Sequence, residues 1–258
     1  VVIFQHGITR TRTDAFAVAG TLAAQGFAVV AIDLPLHGIT DTTSPFYVGN
    51  TPFAQLGAAE RTFDLDVENN STGAAGPDGA IDPSGSWFIN LSSLLTSRDN
   101  LRQGVADLFE LAHAVPSMHY SANADFDGSR IAFVGQSLGS IVGTMFVQID
   151  PNVNTALLSV PGGGIARLLD GSPTFGPRIR AGLAAAGVEA GTPDYDAFMV
   201  AAQTAVDSGD PINFAVVTDT KHLLMQEVVG GGDVPPDQVI PNTVAGAPTS
   251  GTEPLIAA

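Results

Sequence analysis

Phe133-Val134-Gly135-Gln136-Ser137-Leu138-Gly139-Ser140 decides how the rest of the chain is read, because a short apolar strand here runs straight into a helix with one hydroxyl at the corner. Upstream, Arg130 to Val134 is rich in β-formers; downstream, Ser140 to Val147 carries the small and apolar residues of a helix packed closely on a sheet. The Gly-x-Ser-x-Gly spacing has a physical reason. The turn strains the serine backbone, and a side chain at Gly135 or Gly139 would collide with the neighbouring strand or helix. Such a corner presents the Ser137 oxygen at the carboxyl edge of the sheet, at a helix amino terminus whose free N–H groups can stabilise an anion. The plainer reading is a glycine-flanked helix start with Ser137 as its N-cap.

Working outward, Val1 to Phe4 reads as a buried strand that ends in Gln5-His6-Gly7-Ile8-Thr9, and Asp14 to Gln25 as an alanine-rich helix closed by Gly26. Phe27 to Asp33 is nearly all apolar, as expected of a strand covered on both faces in a parallel sheet. Strand, helix, strand is an α/β layer. If Ser137 is a nucleophile, an oxyanion hole would take one N–H from the loop after the first strand and one from the residue after the serine, here Ile8 and Leu138. His6 and His37, in the loops after the first two strands, are candidates to line a substrate site at that edge, or else loop histidines that satisfy local backbone.

Periodicity fails from about Ile39 to Thr96, and a connection of that length usually has a function. It holds Phe46, Tyr47, Phe53, Phe63, Trp87 and Phe88 and reads as a cap inserted over the site, against the alternative of a decorated surface loop. Its Asp64, Asp66, Glu68, Asp78 and Asp82 raise the question of calcium, which wants six to eight oxygens. Asn123 to Gly128 matches the first half of a calcium loop, but Val134 stands where the bidentate glutamate belongs, so a polar turn is the preferred reading. Ser97 is placed as the cap of a helix carrying Leu101, Val105, Leu108, Phe109 and Ala112 at helical spacing. Val153 to Val160 is another strand, and the proline-broken pieces from 161 to 212 form a second covering segment. His222 to Val229 is the last strand. Beyond it Asp237, or alternatively Asp233, would be the carboxylate that orients a histidine base.

The composition narrows the class. The 258 residues suit one domain, and with no cysteine there is neither a disulfide framework nor a thiol nucleophile. A net charge of -16, with Lys221 the only lysine, argues against nucleic acid. Mean hydropathy is high at +0.23, yet no run approaches a membrane span. Both ends read as cut: Val1 is already in a strand, with no methionine or signal peptide, and Gly251 to Ala258 opens a helix that stops after one turn. Serine, acid, histidine is the chain order such a site requires. No histidine follows Asp237, so the base is expected beyond Ala258; the competing explanation is a protein without a triad.

Val2 to Thr9, Ala31 to Gly38, Ser97 to Gln103, Gly135 to Gly139 and Ser159 to Gly164 together make the chain resemble the α/β-hydrolase superfamily, and more closely bacterial extracellular lipases of the virulence-factor lipase type. The resemblance implies an α/β-hydrolase fold: a mostly parallel sheet with helices on both faces and an inserted cap, forming one partial domain over 1–258. It implies hydrolysis of carboxylic esters such as acyl glycerides, in a secreted or outer-membrane-anchored bacterial protein in peripheral contact with lipid surfaces. No metal or organic cofactor takes part. Ser137 would be the nucleophile, Ile8 and Leu138 the oxyanion donors and Asp237 the acid. A non-catalytic binding domain, an acyltransferase and a polyester depolymerase are the alternatives.

Overall fold

The computed structural model describes residues 1–121, 124–215 and 221–258, and the side chains of 120–125 are outside that description. The calcium-loop reading at Asn123 therefore lies outside the described residues. Five parallel strands form the sheet: β1 (Val2–Gln5), β2 (Val29–Ile32), β3 (Ile131–Gln136), β4 (Val153–Ser159) and β5 (His222–Gln226), in the order β2-β1-β3-β4-β5. Gln5 pairs with Ile32 and Gly135, Gln136 with Ser159, and Ser159 with Gln226, so every strand ends at the same rim.

Burial follows position in the sheet. β1 is an interior strand and wholly buried, whereas β2 is only half-buried because it is an edge strand, which corrects the expectation that both its faces are covered. β5, the other edge, alternates exposed and half-buried residues and stops at Gln226 rather than Val229.

Helix α1 (Phe16–Ala24) follows β1, and α2 (Leu94–Ala114) packs on α3 (Leu138–Ile149). Ser93, not Ser97, caps α2 by accepting from the Thr96 amide, while Ser97 is buried inside the first turn and bonds to Asn90. Nearly all of α3 is buried, because its small residues let it approach the sheet: a Cβ on Gly143 would come within 2.1 Å of the Phe133 ring. The Phe133 ring meets Phe146 tilted at 5.6 Å between centroids, and Phe109 meets Phe146 edge-on at 5.4 Å. Burying each such ring is worth about 2–3 kcal/mol. Gly20 in α1 is different, since a Cβ there would have nothing within 4 Å. Gly20→Ala is therefore expected to raise stability by about 0.5–1 kcal/mol, read from the urea midpoint, because only the helix-disfavouring backbone freedom is removed.

Residues 39–93 form turns and short 3-10 segments held by carboxylates. Asp82 accepts from the Val67 and Glu68 amides and the Trp87 indole N–H, and Asp66 accepts from the Asp78 and Gly79 amides. Burial opposes the charged form of Asp82, but the Val67, Trp87 and Glu68 bonds outweigh it and hold the carboxyl below its usual range. Glu60 accepts from the Ile39 and Val48 amides and pairs with Arg12, whose guanidinium also meets Asp33 after β2. These bonds pin the segment to the sheet rim.

Residues 161–212, expected from sequence as a second covering segment, hold α4 (Ile165–Gly171), α5 (Gly176–Ala185) and α6 (Pro193–Val206). Buried Asp210 accepts from the Gly164 and Ile165 amides at 3.0 and 2.6 Å and so fixes the start of α4. Asp170 ties the three helices together, accepting from Tyr195 at 2.5 Å and Arg180 at 3.0 Å. A final helix, α7 (Thr252–Ala257), is held against the 161–164 loop by Thr252, whose hydroxyl donates to the Pro161 carbonyl.

Candidate functional site

Ser137 sits where β3 turns into α3, with φ 54° and ψ -119°, a region an L-residue enters only under strain. The N-cap reading needs extended backbone and a side-chain bond into the first turn; Ser137 has neither. Its conformation is held by its own amide, which donates to the Ser159 carbonyl at 2.9 Å, while the Ser140 hydroxyl donates to the same carbonyl at 2.8 Å. The flanking glycines are required by contact. A Cβ on Gly135 would be 2.7 Å from the Gly139 carbonyl oxygen, and one on Gly139 would be 2.2 Å from that of Gln5.

Gly7 packs against the corner, so that a Cβ there would lie 3.2 Å from the Ser137 Cβ and 3.7 Å from its Oγ. The Arg10 amide closes a turn onto the Gly7 carbonyl at 3.2 Å, and Thr9 at its third position has φ 64°. This is the pattern of a type II turn, in which the second residue's amide, here Ile8, takes no part in the turn's own bond. Leu138 is the first residue of α3, whose leading amides no helical turn satisfies. Ile8, Ser137 and Leu138 line one apolar pocket of about 30 Å³, closed by Ile89 from the first covering segment, by Leu168, Leu169 and Phe175 from the second, and by Val239 and Ile240.

Val239 and Ile240 belong to the loop after β5. There Asp237 Oδ1 accepts from their amides at 2.7 and 2.9 Å, and Oδ2 carries no hydrogen bond among the described residues. One oxygen is thus anchored by the loop's own backbone. Neither aspartate lines the pocket itself: Asp233 is exposed in the glycine turn 230–234, whereas half-buried Asp237 lies two residues from the lining residue Val239.

His6 and His37 are fully buried, and the backbone takes both nitrogens of each ring. A carbonyl can only accept, so Nδ1 carries the proton in both. His6 donates to Gly7 and accepts from the Leu34 amide; His37 donates to Pro35 and accepts from the Thr9 amide at 3.3 Å. The rings lie 5.0 Å apart, and neither offers substrate a nitrogen. Burial, then the nearby His6 and further off Arg61, pushes His37 down to about 4 against the pull of the Pro35 bond; burial lowers His6 as well.

Between pH 6.5 and about 4 the unfolded chain accepts a proton that folded His37 refuses. This contribution to stability is therefore complete above 6.5 and declines as pH falls, by about 3 kcal/mol over the window. Urea unfolding at pH 7 and pH 4 should show His37→Phe losing about that much less than wild type across the interval.

Among the described residues no histidine lines the Ser137 pocket. His222 begins β5, at the opposite end of the strand from the rim. No group of three or more potential metal ligands occurs among the described residues, and Asp66, Asp78 and Asp82 accept from backbone amides. The Arg12–Glu60 tie and the Asp210 cap were not anticipated from sequence, and no local motif announces either.

No protein-family model matches the chain, and no curated protein does. Solved structures do. Acetyl xylan esterase 1 from Thermoanaerobacterium sp. superposes with a TM-score of 0.55 at 17% identity, covering 92% of this chain and 62% of that one. Acetyl xylan esterase from Paenibacillus sp. R4 gives 0.53 at 17%, covering 88% and 58%. The chain thus spans about three-fifths of the length of each. The shared architecture is the α/β-hydrolase fold.

Proposed function

We propose that this chain of α/β-hydrolase fold is the core of a serine-dependent carboxylic ester hydrolase. Ser137 attacks the ester carbonyl, and the Ile8 and Leu138 amides hold the oxyanion of the tetrahedral intermediate. A histidine contributed from outside residues 1–258 takes the serine proton and returns it to the leaving alcohol, with Asp237 Oδ2 fixing its tautomer. The observation that carries this reading is the strained Ser137 corner, facing the Ile8 turn across an apolar pocket. No cofactor is required by this chemistry.

The apolar lining suits an acyl chain, in keeping with the lipase resemblance, while the esterases of similar fold bring small acyl groups into consideration. Exposed Phe46, Phe53, Leu56 and Phe63 on the first covering segment would serve peripheral contact with a lipid surface, as in a secreted or outer-membrane-anchored enzyme. No helix among the described residues is long and apolar enough to cross a membrane.

A second reading, a binding domain without catalysis, is favoured by the lack of a histidine at the pocket among the described residues. Treating the full-length protein with a fluorophosphonate decides between them, since an enzyme is modified at Ser137 and a binding domain is not. Product analysis with an added alcohol then separates hydrolysis from acyl transfer, and a polyester substrate tests depolymerase activity.

A further inference from the structure

We infer that His37 is a positioning residue that aims the Ile8 amide at the oxyanion, by holding Thr9 in its left-handed conformation; this rests on the proposed ester hydrolysis. Position three of a type II turn belongs to glycine, and a β-branched residue there is strained. Thr9 nevertheless occupies it at φ 64°, with its residue surface exposed, so packing of its side chain does not explain the conformation. Besides the turn's own bond from the Arg10 amide to Gly7, what restrains it is its amide, which donates to His37 Nε2.

The His37 ring is itself immobilised on every side. Its Nδ1 donates to Pro35, Phe88 meets it edge-on at 5.3 Å, His6 lies behind it, and Gly85 packs so closely that a Cβ there would fall 2.3 Å from Nε2. The loop that supplies Gly85 is bonded to both rim loops, since the Gly85 amide donates to Leu36 and the Ser84 hydroxyl donates to Arg10 while accepting from Gly38. Three loops meet at this ring, and the turn carrying Ile8 is the one that touches Ser137. Without the Nε2 acceptor the Thr9 amide is released, the Ile8–Thr9 peptide can flip as Thr9 relaxes toward negative φ, and the turn that holds the Ile8 N–H beside Ser137 loosens.

The test is steady-state kinetics of the full-length enzyme on a soluble p-nitrophenyl ester, with amide exchange measured at Thr9. His37→Phe keeps a ring but removes the acceptor. It is expected to lower kcat by about 10–100-fold with KM changed less than about twofold, and to speed exchange at Thr9. Adding Thr9→Gly, which makes the turn conformation unstrained, should restore most of kcat; a purely structural histidine would show no such rescue. His37→Gln, whose side-chain oxygen can accept the same amide, should retain more activity than the Phe variant, and it serves if the latter does not fold. Unchanged kcat in His37→Phe, or a loss that Thr9→Gly fails to restore, overturns the assignment. A wild-type protein that neither reacts with a fluorophosphonate nor turns over ester overturns the proposed function and this assignment with it. A protein that labels but whose kcat ignores His37 overturns this assignment alone.

Discussion

Ser137→Ala in the full-length protein is expected to lower kcat/KM for a soluble ester by about a thousandfold or more and to abolish fluorophosphonate labelling. The proposed nucleophile has no substitute in the pocket, whose other lining residues are apolar. The companion Ser137→Gly should be equally inactive yet more stable than wild type, by about 1 kcal/mol in urea unfolding. At φ 54°, ψ -119° a side chain costs on the order of 1–3 kcal/mol, and glycine escapes this at the expense of a freer unfolded chain. An inactive protein of raised stability would mark the corner as strained for the sake of chemistry. If Ser137→Ala keeps wild-type turnover, the nucleophile is elsewhere.

Gly139→Ala should do the largest structural damage of any single methyl addition at the rim. The new Cβ would lie 2.2 Å from the Gln5 carbonyl oxygen and 2.6 Å from that of His6. Both are backbone atoms at the end of β1, and no rotamer change relieves the clash. Either α3 lifts from the sheet or the β1 end shifts, and each movement displaces Ile8 relative to Ser137. A stability loss of about 3–5 kcal/mol, or failure to fold, is expected from denaturation curves, with labelling at Ser137 lost in parallel. A variant with wild-type stability and labelling would show that the close approach of α3 to β1 is wrongly described.

How much of this was legible in the sequence depends on whether the cause was local. The corner at Ser137 could be read because its glycines are dictated by contacts within a strand–turn–helix unit that any chain must satisfy in the same way. The rim loops were readable for the same reason, since parallel strands of alternating order put Ile8 and Asp237 at one edge. The burial of β2 was not readable, because an apolar run does not reveal whether another strand lies beside it. Nor was the cap of α2. Ser93 and Ser97 are both competent, and the choice was made by the tertiary contact that buries Ser97 against Asn90. The histidines show the limit most plainly. Position alone makes His6 and His37 substrate-lining candidates, whereas each ring is turned inward by a carbonyl one or two residues away together with an amide from a loop distant in the chain. Thr9 could not have been anticipated at all, since its residue type argues against the conformation it adopts.

The indole of Trp87, hydrogen-bonded to Asp82 within the first covering segment, is the only tryptophan in the protein. Emission from that ring therefore follows the cover and not the sheet beneath it, whereas far-ultraviolet dichroism follows the helices and strands. Two ordinary spectra thus watch two different layers of one molecule, and a gap between their titration curves would time the loosening of the cover against the melting of the core.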